Sequence, residues 1–179
     1  MRLRRAGAAD PAGRTSILVV IGPAGSGKST VAAALADELG WRFEDADALH
    51  SPDALDKIAA GEPLTEADRA PWLARVADVI DGALDQAGSL VIACSALRRA
   101  YRDELRRPAV EFIHLGVPEA QLAERLRTRE AHFAGPEILA SQLEIFEPLE
   151  PHERGLTVDG ALAAADVVDS ILASLVLSA

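Results

Sequence analysis

At 179 residues, 49% hydrophobic and 26% charged, the chain is sized for one domain that buries about 70% of its unfolded surface. A formal charge of −10, a pI near 4.8 and no basic stripe argue against nucleic acid and anionic lipid surfaces as partners. No apolar run reaches the ~20 residues of a membrane span, the start lacks the apolar stretch of a secretory signal, and a single cysteine, Cys94, rules out an internal disulfide framework; a cytoplasmic protein is expected.

Residues 1–15 carry Arg2, Arg4, Arg5 and Arg14 with little apolar content, which predicts a mobile leader before a single domain at 16–179. The first strand is expected at Ser16–Ile21. Gly22-Pro23-Ala24-Gly25-Ser26-Gly27-Lys28-Ser29-Thr30 follows and fits G-x-x-x-x-G-K-[ST], the phosphate-binding P-loop. A helix is expected over Lys28–Leu39, so the motif has the strand–loop–helix setting it requires. Glycines at 22, 25 and 27 let successive backbone N–H groups face one anion, and the helix N-terminus adds partial positive charge there. The motif predicts that Gly22, Ala24, Gly25, Ser26, Gly27, Lys28, Ser29 and Thr30 cradle a nucleotide's phosphates, with Lys28 on the β/γ-phosphates and the Ser29 hydroxyl on Mg²⁺.

Gly40 stands where a C-cap glycine belongs, and a right-handed crossover leads to a second strand at Trp41–Asp45. It ends in Asp45-Ala46-Asp47, with His50 three residues on. Alternating carboxylates point to opposite sides, so one can face the phosphates while the other braces the loop. Asp47 is the candidate to accept the attacking hydroxyl's proton or orient the Mg²⁺ shell, with Asp45 second; both also read as turn-forming aspartates. Helices are expected at Asp53–Ala60 and Arg69–Ala87. Between them Thr65 and Asp68 have capping-box spacing, and Arg69 either clamps an acidic substrate or pairs with Glu66 or Asp68.

The third strand, Leu90–Cys94, runs into Ser95 and Arg98 without a Walker-B aspartate. The GTPase N-K-x-D signature is also missing, which disfavours the GTPase and motor-ATPase branches. Cys94 reads as buried packing. A helix at Arg99–Leu105, a strand at Glu111–Leu115 and, after Pro118, a helix at Glu119–Thr128 come next. Arg125 and Arg129 share one helix face and suit either a lid over the triphosphate or a salt-bridged surface with Glu124 and Glu130. A helix at Glu137–Phe146, a strand at Leu156–Val158 and a helix at Ala161–Leu177 complete the chain. Alternating strands and helices predict an α/β fold with a parallel sheet, and polar residues after each strand place a ligand at the carboxyl edge.

The ordered set Gly22–Thr30, Asp45–His50, Gly61–Leu73, Cys94–Asp103, Arg129–Phe133, Ser141-Gln142 and Glu147-Pro148 resembles the small bacterial-type gluconokinases over roughly residues 16–160. The resemblance implies a three-layer P-loop NTPase fold with a five-stranded parallel sheet, adenylate-kinase-like, with a helical lid at about 125–148. It implies ATP- and Mg²⁺-dependent phosphorylation of D-gluconate to 6-phospho-D-gluconate, feeding the pentose phosphate pathway, by a homodimer. Carried over by position, Lys28, Asp47, Arg125 and Arg129 would be catalytic, Asp47, His50, Arg69, Ser95, Arg98 and His132 would meet the sugar acid, and Arg125, Arg129 and His132 would belong to the lid.

Three departures bear on the acceptor. Ser51 replaces the family's proline after His50, Ala54 replaces an asparagine with Lys57-Ile58 in place of Lys-Met, and Arg98 and Arg99 stand where lysines are common. Rival readings are a shikimate or nucleoside-monophosphate kinase, the former disfavoured by the missing Gly-Gly-Gly loop, and a nucleotide-binding regulator without turnover.

Overall fold

The computed structural model describes residues 15–128 and 136–177. Five consecutive aliphatic residues, Ile17–Ile21, form strand β1, buried on both faces. Burial on both faces is the lot of a central parallel strand, which reads as an unbroken apolar run. At ~1.5–3 kcal/mol per side chain, this strand alone contributes on the order of 10 kcal/mol of gross stabilisation, offset by the entropy of ordering it. The other strands are β2 (Arg42–Asp45), β3 (Leu90–Ala93), β4 (Val110–Gly116) and β5 (Gly155–Asp159), in the order β2-β3-β1-β4-β5. Every pairing is parallel, with Ile17 level with both Leu90 and Val110.

The pleat sorts the core into two layers. Ile17, Val19 and Ile21 join Leu90, Ile92, Cys94, Val110 and Phe112 on one face. Leu18 and Val20 join Val91, Ala93, Ile113 and Leu115 on the other. The first face is covered by α3 (Glu66–Asp85) and α4 (Arg99–Leu105), through Trp72, Val76, Ile80, Tyr101 and Leu105. The second is covered by α1 (Lys28–Leu39) and α7 (Ala164–Leu177), through Val31, Leu35, Val167 and Ile171. The remaining helices are α2 (Pro52–Ala59), α5 (Glu119–Arg127) and α6 (Pro136–Ile145).

The expected elements are all present, with differences at their ends. Helix α3 begins three residues before the expected Arg69. Thr65 and Asp68 close a full capping box, which satisfies the first-turn donors and sets the start at Glu66. Pro71 then falls inside the helix, where it removes one backbone donor. A 3₁₀ turn at Ala46–Leu49 follows β2, capped by the Asp45 side chain. Helix α7 starts at Ala164, because Asp159 accepts the Ala161 N–H and Gly160 donates to the Gly116 carbonyl, which holds 159–161 in a turn. The Gly40 C-cap is as expected, at φ 68°.

Candidate active site

The sheet order reverses between β1 and β3, where open α/β sheets bind ligands. The loops leaving these strands are tied together, since the Gly22 N–H donates to the Ser95 carbonyl and the Cys94 N–H to the Val20 carbonyl. At Gly22 (φ 148°) a Cβ would lie 2.9 Å from the Ser26 Oγ, and at Gly25 (φ 81°) it would lie 3.1 Å from the Leu122 carbonyl oxygen. Both positions need glycine, the second because α5 packs onto the loop. Gly27 caps α1 at φ 91° and has no side chain to offer the first-turn donors. The Lys28 Nζ donates to the Pro23 carbonyl at 3.0 Å, folded over its own loop.

Two cavities flank this loop. The larger, about 390 Å³, is lined by Ala24, Lys28 and Ser29 of the phosphate loop together with Asp47, His50, Arg69 and Ser95. Asp45 also lines it and does a second job, its Oδ1 accepting the Asp47 N–H at 3.1 Å. Helix α3 fixes the Asp47 turn from behind. The Trp72 Nε1 donates to the Ala46 carbonyl at 2.7 Å, and the Arg75 Nε to the Leu49 carbonyl at 2.7 Å. His50 stacks on Trp72 at 4.6 Å between ring centroids, with an interplanar angle of 9°. Burial lowers the His50 pKa below its ordinary value, the charges of Arg75 and Arg69 push the same way, and Asp47 opposes them. The imidazole is therefore a neutral hydrogen-bonding group at pH 7.

Arg69 reaches the cavity with a partner that its sequence position allowed and another that it did not. Its guanidinium donates to Glu66 at 3.2 Å and to the Tyr101 hydroxyl at 3.3 Å. The same Glu66 oxygen accepts from the Tyr101 hydroxyl at 2.6 Å and from Arg98 at 3.1 Å. Both guanidiniums lie 5.9 Å from the Tyr101 ring centroid. Arg98 thus joins the cluster through Glu66 and does not line the cavity. The Tyr101 hydrogen bond is the main cause holding the Glu66 carboxyl below its usual range, and burial with that bond raises the Tyr101 pKa.

The smaller cavity, about 270 Å³, lies beyond the loop against Gly25, Gly27, Thr30, Gly160 and Leu162. Arg125 belongs here. It donates to the carbonyls of Gly160 at 3.0 Å, Ala161 at 3.2 Å and Ser26 at 3.4 Å, rather than standing over the larger cavity or pairing with Glu124. Arg127 makes the Glu124 pair instead. Arg129 and His132, with the middle of the expected lid, lie outside the described residues, as does most of the expected leader.

The departures noted in the sequence have local roles. Ser51 caps α2, its Oγ accepting the Ala54 N–H at 3.2 Å, and Ala54 is buried away from both cavities. Ile58 lines the larger cavity, while Lys57 pairs with Asp68 at 2.8 Å. Arg99 pairs with Glu150 at the surface. Burial drives the Cys94 thiol up to about 12, consistent with a packing role.

Tyr101, Trp72, Glu66 and Gln142 lie within the motifs of the sequence but had no assigned part in the site, and Arg75 was not singled out at all. Gln142 comes from α6, whose Ile138, Ser141, Gln142 and Ile145 share one face at i, i+3, i+4 and i+7 and all line the larger cavity. That spacing, with two polar residues in an otherwise apolar stripe, was the available signal. Among the described residues no group of three or more His, Cys, Asp or Glu can hold a metal ion, and no helix is long and apolar enough to cross a membrane.

Comparison with known proteins agrees with this geometry. A family model described as an AAA domain matches residues 17–149. Gluconokinase of Gluconobacter oxydans is 44% identical over 145 residues, 80% of this chain and 82% of that protein. The crystal structure of a gluconokinase from Sinorhizobium meliloti superposes with a TM-score of 0.82 at 40% identity, covering 92% of this chain and 93% of that one. A sugar kinase from a Janibacter species gives a TM-score of 0.85 at 42% identity, over 90% and 94% of the two chains.

Proposed function

Because the chain belongs to the gluconokinase family, we propose that it transfers the γ-phosphoryl group of ATP to the 6-hydroxyl of D-gluconate, giving 6-phospho-D-gluconate and ADP. The observation that carries this reading is the larger cavity, which joins phosphate-binding residues to a wall of Asp47, His50, Arg69 and Ser95. A sugar acid asks for that mixture: a guanidinium for its carboxylate and short polar groups for its hydroxyls.

Residues Gly22–Thr30 cradle the triphosphate, and the smaller cavity beside Arg125 takes the nucleoside end. Lys28 offsets charge on the transferring group. Asp47 orients the acceptor hydroxyl and takes its proton, held in place by Asp45, Trp72 and Arg75. Arg69 receives the carboxylate, with Tyr101, Glu66 and Arg98 bracing it from behind, and His50 and Ser95 meet hydroxyls. Arg125 holds the β5–α7 turn against the phosphate loop; as the family resemblance implies, Arg129 acts in the lid over the triphosphate and His132 meets the sugar acid. Phosphoryl transfer needs little covalent help from protein, so positioning and charge neutralisation account for most of the rate.

The donor set fits Mg²⁺. Ser29 lines the larger cavity together with Asp45 and Asp47, and Mg²⁺ in kinases relies on few protein oxygens besides phosphate and water. When bound it supplies charge neutralisation at the β- and γ-oxygens. A homodimeric, cytoplasmic enzyme completes the proposal; light scattering tests the dimer.

The activity test is ADP release in a coupled assay with gluconate, related aldonates and shikimate, with Lys28→Ala as the blank. Gluconate should raise ADP release well above ATP alone in the wild type and not in the variant. Equal rates with and without gluconate refute the assignment, and a preference for shikimate redirects it.

A further inference from the structure

Gln142 makes a contact that the binding scheme above does not use. Its Oε1 accepts the Ala24 backbone N–H at 2.6 Å, across 118 positions of sequence. An amide side chain is usually ambiguous in its orientation, but here the partner is a backbone donor, so the oxygen must face the loop. The NH₂ end therefore points away from Ala24. Gln142 lines the larger cavity together with Lys28, Ser29 and Asp47.

We propose that Gln142 is a catalytic residue whose NH₂ donates to an oxygen of the phosphoryl group in transit. The idea rests on the kinase reading given above. In the step, the acceptor hydroxyl oxygen forms a new bond to the γ-phosphorus, and the bond from that phosphorus to the β-bridging oxygen breaks. Its electron pair leaves with ADP, and the hydroxyl proton passes to Asp47. Gln142 exchanges no proton; the Ala24 N–H fixes its donor toward oxygens that gather charge as the bond breaks. A mere latch between α6 and the loop would need an acceptor only. Glutamine adds a donor that the Ala24 contact does not use, in a residue that lines the cavity.

Two variants separate donor from latch. Gln142→Glu keeps an oxygen for the Ala24 N–H but replaces the NH₂ with a negative oxygen beside the phosphates. Gln142→Ala removes both ends. We expect kcat at saturating ATP and gluconate to fall about 10- to 100-fold in Gln142→Ala and at least about ten-fold further in Gln142→Glu, with both variants melting within a few degrees of wild type. A latch gives the reverse order. Any result in which Gln142→Glu turns over as fast as Gln142→Ala, or faster, overturns the proposal. Wild-type turnover of gluconate tests the kinase reading separately. If it is absent, the order of the variants is read from slow ATP hydrolysis by water, which moves the same phosphoryl oxygens.

Discussion

The side chains of Arg102 and Glu153 are both fully buried, and they pair through two hydrogen bonds of 2.6 and 2.8 Å. Glu153→Ala removes the anion and leaves the cation. Stranding one member of a buried pair costs about 3–5 kcal/mol. In the variant Arg102 would keep four carbonyl acceptors, on Ala96 and Leu97 at 3.3 Å, Glu147 at 3.0 Å and Pro148 at 3.1 Å. Those acceptors favour the lower end, about 3 kcal/mol. For a chain of this size each kcal/mol moves Tm by about 2–4 °C, so a fall of about 6–12 °C is expected by calorimetry, with a matching loss in urea unfolding. The exposed Arg106–Asp103 pair is the control, and Asp103→Ala should cost about 1 kcal/mol or less.

The pair also supports the site. Arg102 holds the carbonyls of Ala96 and Leu97, in a loop where Ala96 has φ 37°, a left-handed value that costs a non-glycine residue about 1–2 kcal/mol. Ser95 and Leu97 from that loop line the acceptor cavity. Glu153→Ala should therefore raise the acceptor KM while leaving that for ATP nearly unchanged. A variant within about 1 kcal/mol of wild type, with an unaltered acceptor KM, would refute the reasoning. Acid behaviour gives a second reading. Burial pushes the Glu153 pKa up, but the hydrogen bonds from Arg102 and the Glu150 N–H, with the Arg102 charge, outweigh it and hold the pKa below its ordinary value. A depressed carboxyl stabilises the fold above its unfolded pKa, and that stability is lost as pH falls through the folded one. Glu153→Gln should flatten this acid limb.

Asp47→Asn should lower kcat about 10²–10⁴-fold with little change in ATP affinity, checked by steady-state kinetics and nucleotide titration. Glu66→Gln removes the negative charge between Arg69 and Arg98, so the acceptor KM should rise several-fold while kcat holds; the effect stays small because Glu66 is 58% exposed at its side chain. The lowered His50 pKa predicts that kcat/KM for gluconate stays flat from pH 8 down to about 6.5 and loses the histidine contribution only below that, as the imidazole gains its proton. His50→Asn should lack that decline.

How much of this was legible in the sequence depends on which atoms form each half of the site. The nucleotide half is mostly backbone. Gly22–Thr30 is a continuous segment whose glycines and helix start set the direction of the N–H groups, so strand, loop and helix could be read from local chemistry. The central strands β1 and β3 were legible as short apolar runs between turn signals, whereas β2, Arg42–Asp45, is mostly polar and was placed by the crossover from the preceding helix. The acceptor half is made of side chains from the second strand's turn, α3, the loop after β3, α4 and α6. Asp47 and Ser95 were visible because strand ends converge at one edge of a parallel sheet. Glu66, Tyr101 and Gln142 were not, because their roles arise only when residues 35 and 118 positions apart meet. Glu66 shows the limit clearly. From its spacing it is an ordinary i, i+3 partner for Arg69 on a solvated face, and that pairing is real. Only the fold adds Tyr101 and Arg98 to the same oxygen. The surface pair thereby becomes a charged brace behind the arginine that faces the cavity, and its contribution to binding is set by geometry that no single segment encodes.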